Sequence, residues 1–439
     1  MRRTCKDVSK ITVKFITLGC KTNLYESEAM ASLFRTAGYT VVGAREPADV
    51  CVINTCTVTG TGAQKSRQQI RRARRENPGA VLAVTGCLAQ TEANRLREDM
   101  DVDILLGNKY RNRIVELTEL ALRGIKTDQV ADILKEDTFE EIGITHGQSR
   151  VRANLKIEDG CGNFCAYCII PYARGPVRSR PLVRIREEAE ALGEAGYGEV
   201  VLTGIHIGSY GRDLGGGTGL MDVIETVHQT EGIRRIRLGS LEPVLITEDF
   251  VRRAAQLPKL CPQFHMSLQS GCDATLRRMN RRYTTAEYRH AAALLRKNLP
   301  DTAITTDLMV GFPGETDGEF RQSYDFCAEI GFSQMHVFPY SIRQGTAAAG
   351  FPDQVDEAVK TERAHRMLEL AAQLKADFCR PYTGQILSVL IEQEKDGRYH
   401  GTTANYMDVL AAGPPDMTGR LADVRIDGYA DGHLTGEVV

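Results

Sequence analysis

Three cysteines, Cys161, Cys165 and Cys168, stand at C-x3-C-x2-C spacing near the middle of this 439-residue chain. They come directly after an apolar, strand-like run from Ala153 to Ile157. A structural zinc site uses four protein ligands, whereas three thiolates around a four-iron cluster leave one iron free to bind a small molecule. The spacing therefore favours a reactive iron–sulfur cluster. The alternatives are a zinc knuckle with a distant fourth ligand, or simply buried thiols.

A second set of cysteines, Cys20, Cys56 and Cys87, stands at the ends of three β-branched, apolar runs. Each run is followed by a helix-like stretch, so the pattern predicts a β-α-β-α domain with a parallel sheet. The carboxyl ends of the strands form the ligand crevice in open sheets of this kind. The three thiols could therefore converge there and hold a second cluster, again with one iron unligated.

The other cysteines have no ligand spacing. Cys51 lies in a strand five residues before Cys56, and an odd offset places the two on opposite faces, so we expect Cys51 in the core. Cys272 follows a barrel-type strand and could face the site, but we do not assign it to a cluster. Packing is the simplest interpretation of the remaining four, which are Cys5, Cys261, Cys327 and Cys379.

The composition is typical of an intracellular enzyme, with 42% hydrophobic and 26% charged residues. No apolar run approaches the length of a membrane helix, and the N-terminus lacks the apolar core of a signal peptide. Twelve cysteines without a secretion signal indicate thiols and metal rather than disulfides. We therefore expect a cytoplasmic protein with no membrane partner.

The strand and helix patterns divide the chain into three predicted domains. The patterns predict an N-terminal open parallel α/β domain over residues 1–122 and a polar, weakly patterned linker over residues 123–148. Residues 149–377 carry six strands in βα alternation, which predicts a central partial (βα)6 barrel with its chemistry at the strand carboxyl ends. Residues 378–439 carry short β runs broken by glycine, which predicts a small antiparallel β-barrel.

The net charge of −2 argues against a protein that coats nucleic acid through bulk positive potential. Arginines crowd two helical segments, 67–75 and 277–282, and these read either as solvated helix faces or as a rim that contacts phosphates. From Gln385 onward the chain has four basic residues against nine acidic ones, a net charge of −5. That charge is unfavourable for binding phosphates.

The sequence around the central cysteines, from Cys161 to Arg180, resembles the cluster loop of radical S-adenosylmethionine methylthiotransferases. Three later strand ends carry motifs similar to that family in the same order: Leu202–Gly211, Ser240–Pro243 and Thr306–Glu315. Within the family, four segments look most like the MtaB-type branch: Thr17–Asn23, Asn54–Val58, Leu202–Gly211 and His336–Thr346. The resemblance extends over essentially the whole chain, and the last block resembles the TRAM domain, an RNA-binding appendage.

This resemblance implies a radical SAM fold with two [4Fe–4S] clusters, one on each cysteine triplet, and S-adenosylmethionine as methyl donor and radical source. It implies action on the anticodon stem-loop of tRNA that carries N6-threonylcarbamoyladenosine at position 37, with a methylthio group added at C2. That C–H bond is neither acidic nor electrophilic, so a cofactor must supply the reactivity. The implied electron donor is a flavodoxin or a ferredoxin.

The same resemblance suggests residues beyond the six cysteines. Thr203 and Gly204 are expected to contact the cofactor, and Asp307, Gly311 and Glu315 are further cofactor-binding candidates. Three amides accompany the N-terminal cysteines in motif and either support the second cluster or make turns and caps, and these are Asn23, Asn54 and Gln90.

Three other functions remain open. A ribosomal-protein methylthiotransferase would use the same six cysteines, and the acidic C-terminal segment would suit a basic protein partner. A tRNA methylthiotransferase for isopentenylated adenosine would need no cationic pocket for its apolar substituent. A non-catalytic iron–sulfur RNA-binding module is disfavoured by the strand-end motifs, because binding alone requires no open iron.

Overall fold

The computed structural model of the chain describes residues 11–143 and 151–439. Cys5 and the end of the predicted linker lie outside the described residues. In the part that is described, no helix is both long enough and apolar enough to cross a membrane.

The first domain is built on a parallel sheet with the strand order β2-β1-β3-β4-β5-β6. Its strands are β1 (Thr12–Thr17), β2 (Thr40–Val42), β3 (Val50–Thr55), β4 (Val81–Gly86), β5 (Ile104–Leu106) and β6 (Thr127–Gln129). Strands β3 and β4 are buried along their whole length, as expected for central parallel strands that are covered on both faces. The predicted open parallel α/β domain is confirmed.

Helices cover both faces of this sheet: α1 (Lys21–Thr36), α2 (Gly60–Glu76), α3 (Cys87–Thr91), α4 (Ala93–Asp99) and α5 (Ile114–Leu122), with short 3-10 turns at Arg111–Arg113 and Ile133–Lys135. Strand β6 and the second of these turns fall within the predicted linker. The described part of that linker is therefore not a plain connection, because β6 extends the first sheet.

The central domain has two three-stranded parallel sheets, β11-β10-β7 and β12-β13-β14. Its elements are β7 (Ala153–Lys156), β8 (Glu158–Asp159), α6 (Ile170–Arg174), β9 (Arg178–Ser179), α7 (Leu182–Glu194), β10 (Glu199–Thr203), α8 (Leu220–His228), β11 (Arg235–Leu238), α9 (Glu248–Ala254), β12 (Gln263–His265), α10 (Asp273–Arg278), α11 (Thr285–Asn298), β13 (Ala303–Val310), α12 (Asp317–Ile330), β14 (Gln334–Pro339) and α13 (Glu357–Cys379). Parallel bridges from Ile236 to Leu260 and from Leu241 to Met266 join the two sheets edge to edge. The predicted partial barrel of six parallel strands is confirmed.

The core of this barrel explains why the strand ends are held in place. Val200, Leu202, Ile236, Phe264 and Ile304 are at most 1% exposed, and they belong to one apolar cluster that also takes in the covering helices. Since all six strands run in parallel, their carboxyl ends share one rim. Loops that follow the strands therefore meet there.

The C-terminal strands close into a small barrel in the order β15-β16-β17-β19-β18. They are β15 (Ile386–Lys395), β16 (Arg398–Thr403), β17 (Asp408–Ala412), β18 (Leu421–Ala430) and β19 (His433–Val438). The barrel is confirmed with one correction: β17 and β19 pair in parallel, so it is not antiparallel throughout. The last run that the sequence predicts is Ala422–Ile426, so strand β19 was not predicted. Arg235 and Arg237 tie this barrel to the central one by donating to the carbonyls of Ser388 and Thr403 at 2.7 and 3.2 Å.

Candidate iron–sulfur and nucleic-acid site

The N-terminal cysteines lie at the carboxyl ends of three neighbouring strands of the first sheet. Cys20 follows β1 and caps α1, Cys56 directly follows β3, and Cys87 directly follows β4 and begins α3. Gly19 approaches Cys56 so closely that an added Cβ would lie 2.9 Å from its Sγ, and the φ of Gly19 is +102°. A side chain at this position would therefore push the turns after β1 and β3 apart.

Burial disfavours ionisation of two of these thiols. It raises the pKa of Cys87 to about 11 and also raises that of Cys56, and the nearby Cys20 thiol raises both further. A coordinating metal centre deprotonates thiols outright. Two buried thiols next to the exposed Cys20 therefore suit a metal centre better than they suit free nucleophiles.

Two buried side chains donate hydrogen bonds to the Cys87 sulfur. Arg174 Nε lies 3.2 Å from Cys87 Sγ, and Asn108 Nδ2 lies 3.7 Å from it. Hydrogen bonds to sulfur ligands orient them and tune a cluster's reduction potential. The donor set therefore fits a thiolate-bound cluster. From the sequence, Arg174 was one residue of the motif from Cys161 to Arg180 and had no predicted role of its own.

Arg174 also belongs to a buried charge network that joins the sheet domain to the barrel. Glu26 contacts Arg174, Arg111 at 2.6 Å and Lys156 at 2.8 Å, and Lys156 also contacts Asp159 at 2.7 Å. Burial opposes ionisation of Glu26, but these three cations hold its pKa well below the usual range. Asp159 lies two residues before Cys161, so one network reaches both cysteine triplets.

The amides that accompany the N-terminal cysteines bind backbone. Asn23 Nδ2 donates to the carbonyls of Leu18 and Thr55 at 2.7 and 2.9 Å, and Asn54 Nδ2 donates to the carbonyl of Asn23 at 2.8 Å. The Gln90 amide connects α3 to the loops after β5 and β6. These contacts hold the cysteine-bearing turns in place, and Asn23 Oδ1 also accepts from Cys20 Sγ at 3.8 Å and from Arg174 Nη2 at 2.5 Å.

Cys161, Cys165 and Cys168 lie together in the loop between β8 and α6. Burial raises the pKa of Cys161 to about 11 and that of Cys168 to about 12, and the Cys165 thiol adds to both shifts. Arg281 Nη1 donates to Cys165 Sγ at 3.3 Å. Each triplet therefore has a buried arginine hydrogen-bonded to one of its sulfurs.

Within residues 11–143 and 151–439, no three histidine, cysteine, aspartate or glutamate side chains converge on a position for a single metal ion. In a four-iron cluster each thiolate binds a different iron, so its thiols need not converge on one point.

A polar group lies beside the central triplet at the barrel rim. Glu242 accepts a hydrogen bond from Asn163 Nδ2 at 3.0 Å and contacts Arg281 at 2.9 Å and His206 Nε2 at 3.3 Å. The sequence placed Glu242 in a strand-end motif and Arg281 in a run read as a solvated face or a phosphate rim. The structure instead places the Arg281 side chain in the interior, 7% exposed, next to Cys165.

Thr203 and Gly204 stand at the end of β10, against a buried carboxyl group. An added Cβ on Gly204 would lie 2.6 Å from Glu158 Oε2, which accepts the backbone N–H of the next two residues at 2.9 and 2.8 Å. Burial raises the pKa of Glu158 to about 8. Thr22 of α1 donates to the Gly204 carbonyl at 3.3 Å, so the first domain contacts this strand end.

The remaining cofactor candidates lie on and after β13. The Asp307 carboxylate lies 3.2 Å from His265 Nε2. The Gly311 N–H donates to Glu315 Oε1 at 2.9 Å, and that carboxylate also accepts from Arg363 at 2.8 Å. The contacts of Gly311 and Glu315 fasten the turn before α12 to α13, and the cofactor role of all three stays a prediction.

A cleft of about 910 Å³ is lined by residues of both the first and the central domain. Its lining comes from the segments that follow Cys56, Cys87 and Cys168 and from the loop after β14, and includes Gly60, Ala63, Arg67, Gln90–Arg95, Ile169, Tyr172 and Ile342–Gly345. Helix α3, which begins at Cys87, packs on α6, which begins two residues after Cys168. The cleft is therefore bordered by segments that directly follow cysteines of both triplets.

Two family models match the chain. The model described as uncharacterized protein family UPF0004 matches residues 12–107, and the radical SAM superfamily model matches residues 155–327. The first match contains Cys20, Cys56 and Cys87, and the second contains the central triplet.

Relatives match over nearly the whole length. A threonylcarbamoyladenosine tRNA methylthiotransferase MtaB of Bacillus subtilis is 43% identical, with 94% of this chain and 93% of the relative covered. The MtaB of Aquifex aeolicus is 36% identical over 94% of this chain and 100% of its own length. A tRNA-2-methylthio-N(6)-dimethylallyladenosine synthase of Pelotomaculum thermopropionicum is 35% identical over 96% of each chain.

Among solved structures, the radical S-adenosylmethionine methyltransferase TsrM of Kitasatospora setae has a TM-score of 0.56 at 14% identity, with 77% of each chain covered. At that identity the match supports the fold alone. Membership of the radical SAM superfamily implies a [4Fe–4S] cluster and S-adenosylmethionine. Taken with the relatives, the two family matches show that this chain belongs to the radical S-adenosylmethionine tRNA methylthiotransferases.

Proposed function

We propose that the chain adds a methylthio group to C2 of N6-threonylcarbamoyladenosine at position 37 of tRNA. Its main support is the cleft lined by segments that follow cysteines of both triplets, in a chain related to MtaB along its length. Each triplet would hold a [4Fe–4S] cluster, and S-adenosylmethionine would serve as methyl donor and as radical source.

When bound, the clusters and S-adenosylmethionine supply the radical and sulfur chemistry that amino acid side chains lack. The protein residues hold and orient them. Arg281 and Glu242 offer opposite charges beside Cys165, which suits the zwitterionic amino acid part of S-adenosylmethionine. Arg174 and Asn108 orient the Cys87 ligand.

Exposed aromatic side chains next to the central cysteines support binding of an unstacked RNA loop. Phe164 and Tyr172 are 46% and 44% exposed, and their rings meet edge to face at 5.5 Å. Stacking of a base on an aromatic side chain is worth about 1–3 kcal/mol. Sequence-specific RNA recognition mostly uses single-stranded loops, so an anticodon stem-loop is a suitable partner.

The proposal includes a cytoplasmic location and a flavodoxin or ferredoxin as electron donor. Support for a reducing compartment comes from the free thiols: eleven free cysteines occur in the described part of the chain, including the exposed Cys20. Exposed thiols persist where glutathione and thioredoxin keep them reduced.

Nucleoside mass spectrometry of tRNA, from a strain with and without the gene, tests the proposal. We expect methylthiolated threonylcarbamoyladenosine to disappear on deletion and to return with the gene. Because relatives at 35% identity are dimethylallyladenosine synthases, the second candidate substrate is isopentenylated adenosine. Loss of that methylthiolated nucleoside instead, or of a methylthio mass from a ribosomal protein, would overturn the proposed substrate.

A further inference from the structure

The cleft has a cationic wall. The described residues that line it include three arginines and one glutamate, which are Arg67, Arg95, Arg343 and Glu92. Arg95 also pairs with Asp99 outside the lining at 3.3 Å, so Glu92 is left to compensate both Arg67 and Arg343. One positive charge is therefore in excess within these ion pairs, which favours an anionic ligand over a neutral one.

The arginines come from different domains and meet at Glu92. Arg67 lies on α2 and contacts Glu92 Oε2 at 2.9 Å, while Arg343 lies on the loop after β14 and contacts Glu92 Oε1 at 3.3 Å. Their side chains are 19% and 10% exposed, and that of Glu92 is 16% exposed. Two partly buried guanidinium groups thus already bind a carboxylate, one on each of its oxygens.

Arg343 is fixed by more than this ion pair. Its Nε donates to the carbonyl of Thr57 at 3.0 Å, and its Nη2 donates to the Thr57 hydroxyl. Thr57 follows Cys56 directly, so this guanidinium is held beside one triplet. Arg67 has Glu92 as its described partner. Arg67 is therefore the guanidinium that an incoming anion can engage most readily.

We propose that Arg67 and Arg343 bind the carboxylate of the threonyl group on the substrate base, with Glu92 occupying their donors when no substrate is present. This inference rests on the proposed function, because it takes the threonylcarbamoyl substituent as given. N6 and C2 of adenine flank N1 on the same edge of the base. Presentation of C2 next to Cys56 would therefore bring the N6 substituent toward Arg343, which is held on Thr57, the residue after Cys56.

The planar guanidinium fork suits a carboxylate, and charge-assisted hydrogen bonds are about twice as strong as neutral ones. A dimethylallyl group has no acceptor, so these arginines would keep Glu92 as their carboxylate partner and would contribute nothing to its binding. Such a site would therefore separate the two adenosine substrates within this family by charge rather than by size.

The test uses the reconstituted holoenzyme and two synthetic anticodon stem-loop RNAs, one with the threonyl carboxylate and one with the corresponding carboxamide. For the wild type we expect KM to be about tenfold or more lower for the carboxylate RNA, because a hydrogen bond to a charged group contributes about 1.5–3 kcal/mol. Arg67→Gln should raise KM about tenfold for the carboxylate RNA and leave the carboxamide RNA unchanged. Arg67→Lys should restore part of the preference, since it keeps the charge but not the fork.

Arg75→Gln is the matched control. It removes the same charge from the exposed face of the same helix, eight residues away and outside the cleft. We expect it to change neither KM. Glu92→Gln distinguishes binding of the substrate carboxylate from a purely structural role of these ion pairs. If the arginines bind the substrate, removal of the competing Glu92 carboxylate should leave KM for the carboxylate RNA unchanged or lower. If Glu92, held by Arg67, only braces the first domain against Arg343 of the central domain, both variants would impair both RNAs equally.

Equilibrium binding of the two RNAs, followed by fluorescence anisotropy, measures recognition of the carboxylate independently of the methylthiolation reaction. Arg67-dependent preference for the carboxylate RNA without any methylthiolation would support the carboxylate site and overturn the proposed reaction. Methylthiolation of both RNAs with equal KM, unaffected by Arg67→Gln, would support the reaction and overturn the carboxylate site.

Discussion

The two cysteine triplets differ in how the chain brings them together. Cys161, Cys165 and Cys168 belong to one loop, so their spacing is set by a few consecutive residues. Cys20, Cys56 and Cys87 sit on three strand ends and meet only when β1, β3 and β4 are in register. Each set has one buried arginine at nearly the same distance from a sulfur, 3.2 Å for Arg174 and 3.3 Å for Arg281.

The two triplets therefore depend on the rest of the fold to different extents. The loop triplet is a local feature that the barrel rim supports. The sheet triplet is a product of topology, and it is joined to the barrel by the charge network of Glu26, Arg174 and Asp159. Substitutions in distant parts of the chain should therefore disturb the geometry of the sheet triplet more than that of the loop triplet.

The largest expected effect comes from removal of one cysteine from each set. Cys165→Ala and Cys56→Ala should each lose about four of roughly eight irons per chain, because a cluster needs its thiolate ligands. Both variants should lose methylthiolation completely. Cys165→Ala should also lose formation of 5′-deoxyadenosine, whereas Cys56→Ala should retain it. Iron analysis and chromatography of the nucleoside product measure the two outcomes.

Wild-type protein reconstituted in parallel is the control for the cysteine variants. Full iron content in Cys56→Ala would show that the sheet triplet holds no cluster. The chain would then have one triplet that binds a cluster and one set of thiols that does not.

The next effect concerns the arginines. Arg174→Met should lower the free energy of unfolding of the apoprotein by about 3 kcal/mol, because it removes one of the cations that compensate the buried carboxylates of Glu26 and Asp159. These carboxylates keep Arg111 and Lys156 as partners. Arg281→Met should cost less, about 1–3 kcal/mol, since Glu242 keeps contacts to Asn163 and His206. Urea unfolding measures both.

Arg72→Met is the matched control, because Arg72 pairs with Glu76 on the exposed face of α2 and should cost less than about 0.5 kcal/mol. Equal losses for Arg174→Met and Arg281→Met would mean that the charge network does not make the sheet triplet the more dependent one.

Glu158 gives a smaller effect that varies with pH. Its pKa is raised to about 8 by burial, so the folded protein keeps a proton that the unfolded chain releases above about pH 4.3. The stability from the neutral carboxyl is complete below that lower pKa and is lost as pH rises through 8. Glu158→Gln does not titrate, so from pH 5 to 8 its stability relative to wild type should rise by up to about 1.4 kcal/mol per pH unit. Chemical unfolding at several pH values measures this difference.

Glu199→Gln is the opposite control. Despite burial, Arg237 and Arg152 lower the pKa of Glu199, so its charged form stabilises the fold throughout pH 5–8. This variant should show a constant deficit over the same range. A flat difference for Glu158→Gln would show that Glu158 is ionised in the folded protein and that its buried position is solvated.

Much of the fold followed from local patterns because apolar periodicity reports directly on burial. The fully buried runs of β3 and β4 and the βα alternation of the barrel are of this kind. Strand β6 is short and only partly buried, and β19 contains a glycine, so neither has a distinct apolar pattern. The parallel pairing of β17 with β19 depends on closure of the barrel, which no local pattern reports.

The places of the cysteines were predictable, because strand ends and loop spacing can be read from the sequence, and the structure has them at those strand ends and in that loop. Their role as cluster ligands stays a prediction. The buried charges around them were not predictable. Arg174, Arg281 and Glu26 are buried among partners from distant segments, yet a buried arginine and a solvated one look the same in sequence. An arginine within a helix that borders a cysteine motif, as at Arg174, is the one signal that could have suggested a sulfur partner.

The smallest effect is expected for Cys51. Its substitution tests whether a cysteine of the first sheet must lie at a strand end to bind the cluster. Cys51 lies within β3, is 1% exposed and packs among Ile70 and Ala73 on the face that α2 covers. Cys51→Ala should leave the iron content at the wild-type value and lower the free energy of unfolding by about 1 kcal/mol, as expected for loss of a small buried group. The paired variant is Cys56→Ala, five residues further on, which should lose a cluster. Iron loss from Cys51→Ala would place the ligand inside the strand, and the sheet triplet would then no longer lie at the strand ends.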